Sequence, residues 1–200
     1  MKRYAAMMLV LGLVSCGGDD EVSGERPAEC PEIVYAGQGA EPSSFHSGGQ
    51  LCEGSDAIEG SDASCLGIDV IYPAYAAGEK FVVIDARPPL DFNLHSIVNS
   101  ISLPYYNVEK CVDYLPKDVW YVTYCACPHN ESQYAASVLE DNGFSKVRVL
   151  DEGYIEWRNR GYPTTDNPEG TPIQEEQPDD SADDTADEET SDDEASAGAG

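Results

Sequence analysis

The sequence is poor in positive charge. It contains 11 Lys and Arg residues against 38 Asp and Glu residues, for a formal net charge of −27, and no Lys, Arg or His follows Asp166. Binding to nucleic acid depends on cationic side chains that neutralise phosphates. We therefore expect no nucleic-acid partner.

The chain also lacks an apolar run long enough to span a membrane. The run AAMMLVLGLV, residues 5–14, follows Lys2 and Arg3, whereas a spanning helix needs about 20 apolar residues. A short apolar run behind basic residues is typical of an export signal, which we assign to residues 1–15. Export places the protein in the bacterial cell envelope.

Cys16 directly follows Leu13, Val14 and Ser15. This arrangement resembles the bacterial lipobox, in which cleavage before the cysteine leaves a lipid-bearing residue. Acyl chains on Cys16 would hold the protein at a membrane surface, and Gly17 favours the outer membrane, facing the periplasm. The alternative is an ordinary signal peptide with an incidental cysteine.

Histidine is scarce, with three residues, but there are seven cysteines. In an oxidising compartment four of the cysteines beyond Cys16 could form two disulfides, and four cysteines allow three connectivities. The sequence leaves the connectivity open. The pairing that we favour joins Cys30 to Cys52 and Cys65 to Cys111.

Composition divides the mature chain into three parts. Residues 16–64 are rich in Gly, Ser and acidic residues and are predicted to form a tether that cysteines could pin. Residues 65–165 alternate hydrophobic runs with polar breaks and can build one domain. Residues 166–200 are strongly acidic and poor in apolar residues, so we expect a disordered tail.

The hydrophobic pattern of the central part predicts an α/β domain. Continuous apolar runs bounded by Gly or Pro are typical of strands buried on both faces. Apolar residues at helical spacing lie between the third and fourth of these runs and again after the fourth. Strands are predicted at 81–85, 98–102, 119–124 and 146–150, and helices at 132–144 and 153–161, the last with Ile155 and Trp157 inward. Strands that alternate with helices indicate a central parallel sheet flanked by helices.

The segment CACPH, residues 125–129, lies where the third strand ends and a helix begins near Glu131 or Ser132. Backbone N–H groups and the positive helix end favour an anion there, which would stabilise a thiolate or persulfide on Cys125. The alternative is a buried, inert cysteine. Cys125, Cys127 and His129 could also bind a metal, but the local sequence offers no fourth ligand, and we expect neither metal nor cofactor.

Three motifs, in order, resemble those of the rhodanese-like family. The first is IDARPPLDFNLHSIVNSISLP, residues 84–104, with Asp85, Arg87 and His95; the second is the loop YCACPHNES; the third is LDEGYIEW followed by RGYP, with Gly153 and Trp157. The resemblance covers residues 65–165. It implies a single rhodanese-like domain.

The resemblance assigns roles to these residues. Cys125 would be the nucleophile that accepts sulfur from a small donor and passes it to a thiol acceptor, and Cys127 is placed to resolve the loaded state. Asp85 and Arg87 are interpreted as a structural pair, and His95 as a brace near the loop.

The loop departs from the family pattern. Ala126, Pro128 and Glu131 stand where the family has a basic residue, a glycine and an arginine, and the loop is one residue longer. His129 is the candidate replacement cation. The absent arginine makes phosphatase chemistry and anionic thiosulfate unfavourable. Two other functions stay open, a thiol–disulfide pair of Cys125 and Cys127 and a non-catalytic binding module.

Overall fold

A computed structural model describes residues 25–53, 58, 63–126 and 129–170. In these residues six strands form one sheet in the order β1-β2-β6-β5-β3-β4. The strands are β1 (Gln50–Leu51), β2 (Ser64–Leu66), β3 (Val82–Asp85), β4 (Ser100–Ser102), β5 (Tyr121–Tyr124) and β6 (Val147–Leu150). All neighbours are parallel except β1 and β2. The predicted α/β class with a central, mostly parallel sheet is confirmed.

Five helices flank the sheet in the described residues: α1 (Ile68–Ala76), α2 (Pro89–Leu94), α3 (Val108–Cys111), α4 (Asn130–Asp141) and α5 (Gly153–Asn159). The two faces of the sheet build separate clusters. Ala135 and Leu139 of α4 pack with Val149 on one face, whereas Ile71 of α1 and Trp157 of α5 pack with Val122 on the other. None of these helices is long and apolar enough to cross a bilayer.

The four predicted strands are present but begin one or two residues late. Phe81 is fully buried yet precedes the ladder of β3. Before β4, Asn99 has a φ of 61°, a left-handed conformation that strands do not use. Apolar runs therefore mark buried segments, which extend beyond the paired residues.

The N-terminal segment differs from the predicted tether. Residues 25–53 pack on the domain, where Phe45 is fully buried and its ring lies 5.1 Å from that of Phe81 and 5.7 Å from that of Trp120. Backbone hydrogen bonds from Ala36 N to Phe81 O and from Lys80 N to Ala40 O add to this contact. The buried Phe45 ring, these hydrogen bonds and the disulfides of Cys30 and Cys52 hold a segment with little apolar periodicity against the domain. The pinning by cysteines that the tether prediction allowed is therefore present.

The favoured disulfide pairing is wrong. Cys30 is bonded to Cys111 and Cys52 to Cys65, with sequence separations of 81 and 13. β1 pairs with β2 in a register that sets Gln50 opposite Cys65, which brings Cys52 alongside β2. Cys30 and Cys111, the last residue of α3, are both buried in the cluster that α4 covers.

Two further expectations are corrected at the C-terminal end. Trp157 is 1% exposed as predicted, but Ile155 is 53% exposed and faces outward. Asp166, assigned to the tail, forms an ion pair with Arg158, so the ordered chain continues past Thr165. The expectations for residues 1–24 with Cys16, for Cys127, and for residues 171–200 lie outside the described residues.

Candidate active site

Cys125 lies at the carboxyl end of the central strand β5 and is 3% exposed. Its backbone is held by α5, because Tyr154 N donates to Cys125 O at 2.8 Å and Ile155 N donates to Ala126 O at 3.1 Å. Gly153 begins α5 with a φ of 72°, which a residue with a side chain adopts at a cost. The turn into α5 thus fixes where the loop leaves the strand.

Ser132, in the first turn of α4, is hydrogen-bonded to the cysteine. Its Oγ lies 3.3 Å from Cys125 Sγ and also donates to His129 O at 2.8 Å. A neutral thiol can donate to this hydroxyl while the hydroxyl donates to His129 O, whereas a thiolate would accept a hydrogen bond from the hydroxyl once its single hydrogen turns from His129 O to the sulfur. Ser132 can therefore serve both protonation states of Cys125.

His129 precedes α4 and has a φ of 81°. Its side chain is 3% exposed, and its Nε2 lies 2.6 Å from Asp151 Oδ1 at the end of β6. Asp151 is thus the hydrogen-bond partner of the His129 ring. The role of His129 as a cation for the donor stays a prediction.

Asp85 and Arg87 form a buried ion pair beside the loop. Arg87 Nε and Nη2 donate to the two carboxylate oxygens of Asp85 at 2.9 and 2.6 Å, and Arg87 N donates at 3.0 Å. Tyr124 completes the set, because its hydroxyl donates to Asp85 Oδ2 at 2.6 Å. Burial and the nearby carboxylate raise the pKa of Tyr124 well above its usual value, so this hydroxyl remains a donor.

His95 and Tyr154 cover the guanidinium. Arg87 Nη2 donates to His95 O at 2.8 Å, its Cζ lies 4.4 Å from the centre of the Tyr154 ring, and the rings of His95 and Tyr154 stack at 5.2 Å. Arg87 is therefore committed to its neighbours. It is held too firmly to replace the arginine that the loop lacks.

Glu131 gives this side of the loop a negative charge. It is half-buried in the first turn of α4. Burial, with Asp91 and Asp85 nearby, raises the pKa of Glu131, and Arg87 offsets the rise in part. The carboxylate therefore stands in a field that already disfavours anions.

Trp157 anchors α5 behind the loop. Its ring is buried against Tyr72, Tyr75 and Tyr162, and its Nε1 donates to Pro163 O at 3.0 Å. Gly153 and Trp157 thus support the loop through α5.

Sequence reasoning missed Ser132, Asp151 and Tyr124. Ser132 and Asp151 lie in the second and third family motifs. Ser132 is 7 residues from its partner Cys125, and Asp151 is 22 residues from its partner His129. Tyr124 was predicted as the last residue of the third strand without a role in the site, and its contact with Asp85 spans 39 residues. A polar residue at the end of a buried parallel strand was the available signal.

A parallel sheet with a cysteine loop between β5 and α4, braced by an Asp–Arg pair, defines the class of protein. The sequence profile of the rhodanese-like domain matches residues 74–160. Thiosulfate sulfurtransferase GlpE of Ectopseudomonas mendocina is 36% identical over 78 residues, which cover 38% of this chain and 70% of that protein. The chain belongs to the rhodanese-like family, with a known sulfurtransferase among its relatives.

Two solved structures are also similar. A rhodanese-related protein from Thermoplasma volcanium is 27% identical with a TM-score of 0.45, covering 50% of this chain and 95% of its own. A protein of unknown function from Rhodopseudomonas palustris, described as a possible tyrosine phosphatase, is 26% identical with a TM-score of 0.48, covering 52% and 85%.

Proposed function

We propose that this chain is a sulfurtransferase that carries sulfane sulfur as a persulfide on Cys125. The observation that carries the proposal is the position of Cys125 Sγ, 3.3 Å from the Ser132 hydroxyl at the first turn of α4. A hydrogen-bond donor and the positive end of a helix both stabilise an anionic sulfur. The sulfurtransferase relative supports the same chemistry.

Transfer takes two displacements. The Cys125 thiolate attacks the sulfane sulfur of a small donor, the bond between that sulfur and the rest of the donor breaks, and the leaving group takes the electron pair. An acceptor thiolate then attacks the outer sulfur of the persulfide and releases the Cys125 thiolate. Because Cys125 is 3% exposed, the donor and the acceptor must each be small or carry the reacting sulfur at the end of a narrow side chain.

Mass spectrometry of the purified protein after exposure to a neutral organic trisulfide RSSSR and one equivalent of its thiol RSH tests this proposal. Attack of Cys125 on the central sulfur releases RS− and leaves Cys125–S–S–SR, and RSH then attacks the terminal sulfur, which gives the Cys125 persulfide and RSSR. We expect a gain of one sulfur on Cys125 in the wild type, none in Cys125→Ser, and a longer-lived persulfide in Cys127→Ser. Ser132→Ala should slow loading about 10–150-fold, since a hydrogen bond to a charged group contributes about 1.5–3 kcal/mol. Ser137→Ala, on the same helix, should not.

Other outcomes separate the alternatives. Equal loading in wild type and Cys125→Ser would remove Cys125 as nucleophile. A loss of two hydrogens across Cys125 and Cys127 without sulfur gain would favour thiol–disulfide exchange, and no change of mass would favour a binding module. Unchanged persulfide lifetimes in Cys127→Ser would leave Cys127 without a resolving role.

We further propose that the donor is not a free anion. Glu131 occupies the place of the arginine that the family uses, and Arg87 is bound to Asp85. Glu131→Gln should raise kcat/KM for thiosulfate about ten-fold, or about 1.4 kcal/mol, by removing one like charge. It should leave the rate with a neutral trisulfide unchanged. Glu140→Gln, the same charge change near the other end of α4, is the control.

The pH dependence gives a second measure of Glu131. Its raised pKa means that protonation removes the negative charge at a higher pH than for an ordinary glutamate. Thiosulfate turnover by the wild type should therefore increase as pH falls through that pKa. The increase should disappear in Glu131→Gln, and a slope that persists there would assign it to another group.

The protein is proposed to act in the cell envelope, held to a membrane surface by lipid on Cys16. The two disulfides support an oxidising compartment. Cys16→Ser should move the exported protein from the membrane fraction to the soluble fraction of cells. Unchanged membrane association would contradict lipid anchoring.

A further inference from the structure

A second group of sulfur and nitrogen atoms does not include Cys125. Sγ of Cys52, Sγ of Cys65 and a ring nitrogen of His129 all lie within 4.8 Å of one another, and all three side chains are buried. The two sulfurs form the disulfide between β1 and β2. This disulfide and the residue preceding α4 therefore share one buried site.

The histidine in this group is oriented by a carboxylate. Its Nε2 lies 2.6 Å from Asp151 Oδ1, and because a carboxylate only accepts hydrogen bonds, Nε2 carries a proton. Its Nδ1 is buried and has no hydrogen-bond partner within residues 25–53, 58, 63–126 and 129–170. A buried nitrogen without a partner is costly, and in the neutral ring it presents a lone pair.

We propose that, when the Cys52–Cys65 disulfide is reduced, the two thiolates and Nδ1 of His129 bind one Zn²⁺. Two cysteines and one histidine are a zinc donor set that leaves a fourth position for water. Asp151 on the opposite nitrogen gives the carboxylate–histidine–zinc arrangement that orients such ligands. Two thiolates also neutralise the charge of the dication at this buried site.

The redox balance is complete with a dithiol reductant. Two electrons and two protons from the dithiol convert the disulfide to two thiols, and the dithiol becomes a disulfide. Zn²⁺ then displaces the two thiol protons. The same segment is thereby closed by a covalent bond when oxidised and by a metal when reduced.

Helix α4 also contacts the intervening chain, since Ile58 N donates to Gln133 Oε1 at 2.6 Å. The link between Cys52 and Cys65, whether disulfide or metal, thus lies beside the first turn of α4, where Ser132 contacts Cys125. The proposed site uses neither Cys125 nor Cys127. It stands whether or not the chain transfers sulfur.

Cobalt titration of the whole protein tests the site. After reduction with a phosphine under anaerobic conditions, Co²⁺ should give a thiolate-to-cobalt charge-transfer band at one equivalent per chain, and Zn²⁺ should remove it. The oxidised protein should give none. Cys52→Ala/Cys65→Ala should abolish the band, and Asp151→Asn should weaken binding about 10–100-fold.

Matched variants assign the ligands. His129→Asn, which tolerates the positive φ, should weaken binding at least as much as Asp151→Asn. Cys30→Ala/Cys111→Ala removes the other disulfide, which belongs to no such group of ligands in the part of the chain that the structure describes, and should retain the band. Zn²⁺ should also raise the unfolding temperature of the reduced wild type but not of Cys52→Ala/Cys65→Ala.

Three results would overturn the proposal. One is a reduced wild type that binds less than one equivalent and gains no thermal stability from Zn²⁺. Another is a band that survives in Cys52→Ala/Cys65→Ala. A band that is lost in Cys125→Ala or Cys127→Ala would place the metal in the loop instead. Circular dichroism of every variant, with and without metal, separates lost ligands from lost fold.

Discussion

Replacing Arg87 with methionine should lower the free energy of unfolding by about 3–5 kcal/mol, the usual cost of breaking a buried ion pair by removing one partner. Asp85 is fully buried and would lose the guanidinium from which both of its carboxylate oxygens accept hydrogen bonds. The hydroxyl of Tyr124 and the amide of residue 87 would then be its remaining donors. Denaturant unfolding of the purified protein measures the loss.

A double-mutant cycle distinguishes pairing from packing. The loss of unfolding free energy in Asp85→Asn/Arg87→Met should be clearly smaller than the sum of the losses in the two single variants, because the double variant leaves no charge without its partner. Arg160→Met is the control, since Arg160 also pairs with Glu156 and Asp69 but at the surface, where ion pairs contribute little. Similar losses in Arg87→Met and Arg160→Met would show that the buried pair has no special weight.

The central sheet and the cysteine loop could be predicted because their signals are local. Apolar runs such as that ending at Asp85 indicate strands buried on both faces, and a cysteine between a strand and a helix indicates an anion site. β1 and β2 both escaped prediction, because Gln50 and Leu51 form a two-residue strand with both side chains exposed and β2 is only three residues long. A short exposed edge strand has no hydrophobic pattern to read.

The errors arose where the answer depends on distant contacts or on the helical period. Ile155 and Trp157 are two residues apart, about 200° around a helix, so they cannot both face the core. The partner of His129 is set by how β6 lies beside β5, which brings Asp151 to the loop. Disulfide partners depend on the same packing, because spacing alone does not say which strands become neighbours.

Removing the two disulfides should have unequal effects. In the chain-entropy account a crosslink stabilises by restricting the unfolded chain, so the separations of 81 and 13 residues correspond to about 4.5 kcal/mol for Cys30–Cys111 and about 3 kcal/mol for Cys52–Cys65. Alanine is the suitable replacement, because a serine hydroxyl would be buried without a partner at sites such as Cys111. Denaturant unfolding of each double-alanine variant gives the two losses.

The two losses should not simply add, since the shorter crosslink lies inside the longer loop and both restrict the same unfolded chain. The Cys30–Cys111 bond also ties residues 25–30 to α3, next to the contact of Arg26 with Tyr114 O, so its removal should expose the chain before Pro31 to protease first. A larger loss in Cys52→Ala/Cys65→Ala would contradict the entropic argument. It would instead assign the main stabilisation to the closure beside α4, where the shorter disulfide meets His129.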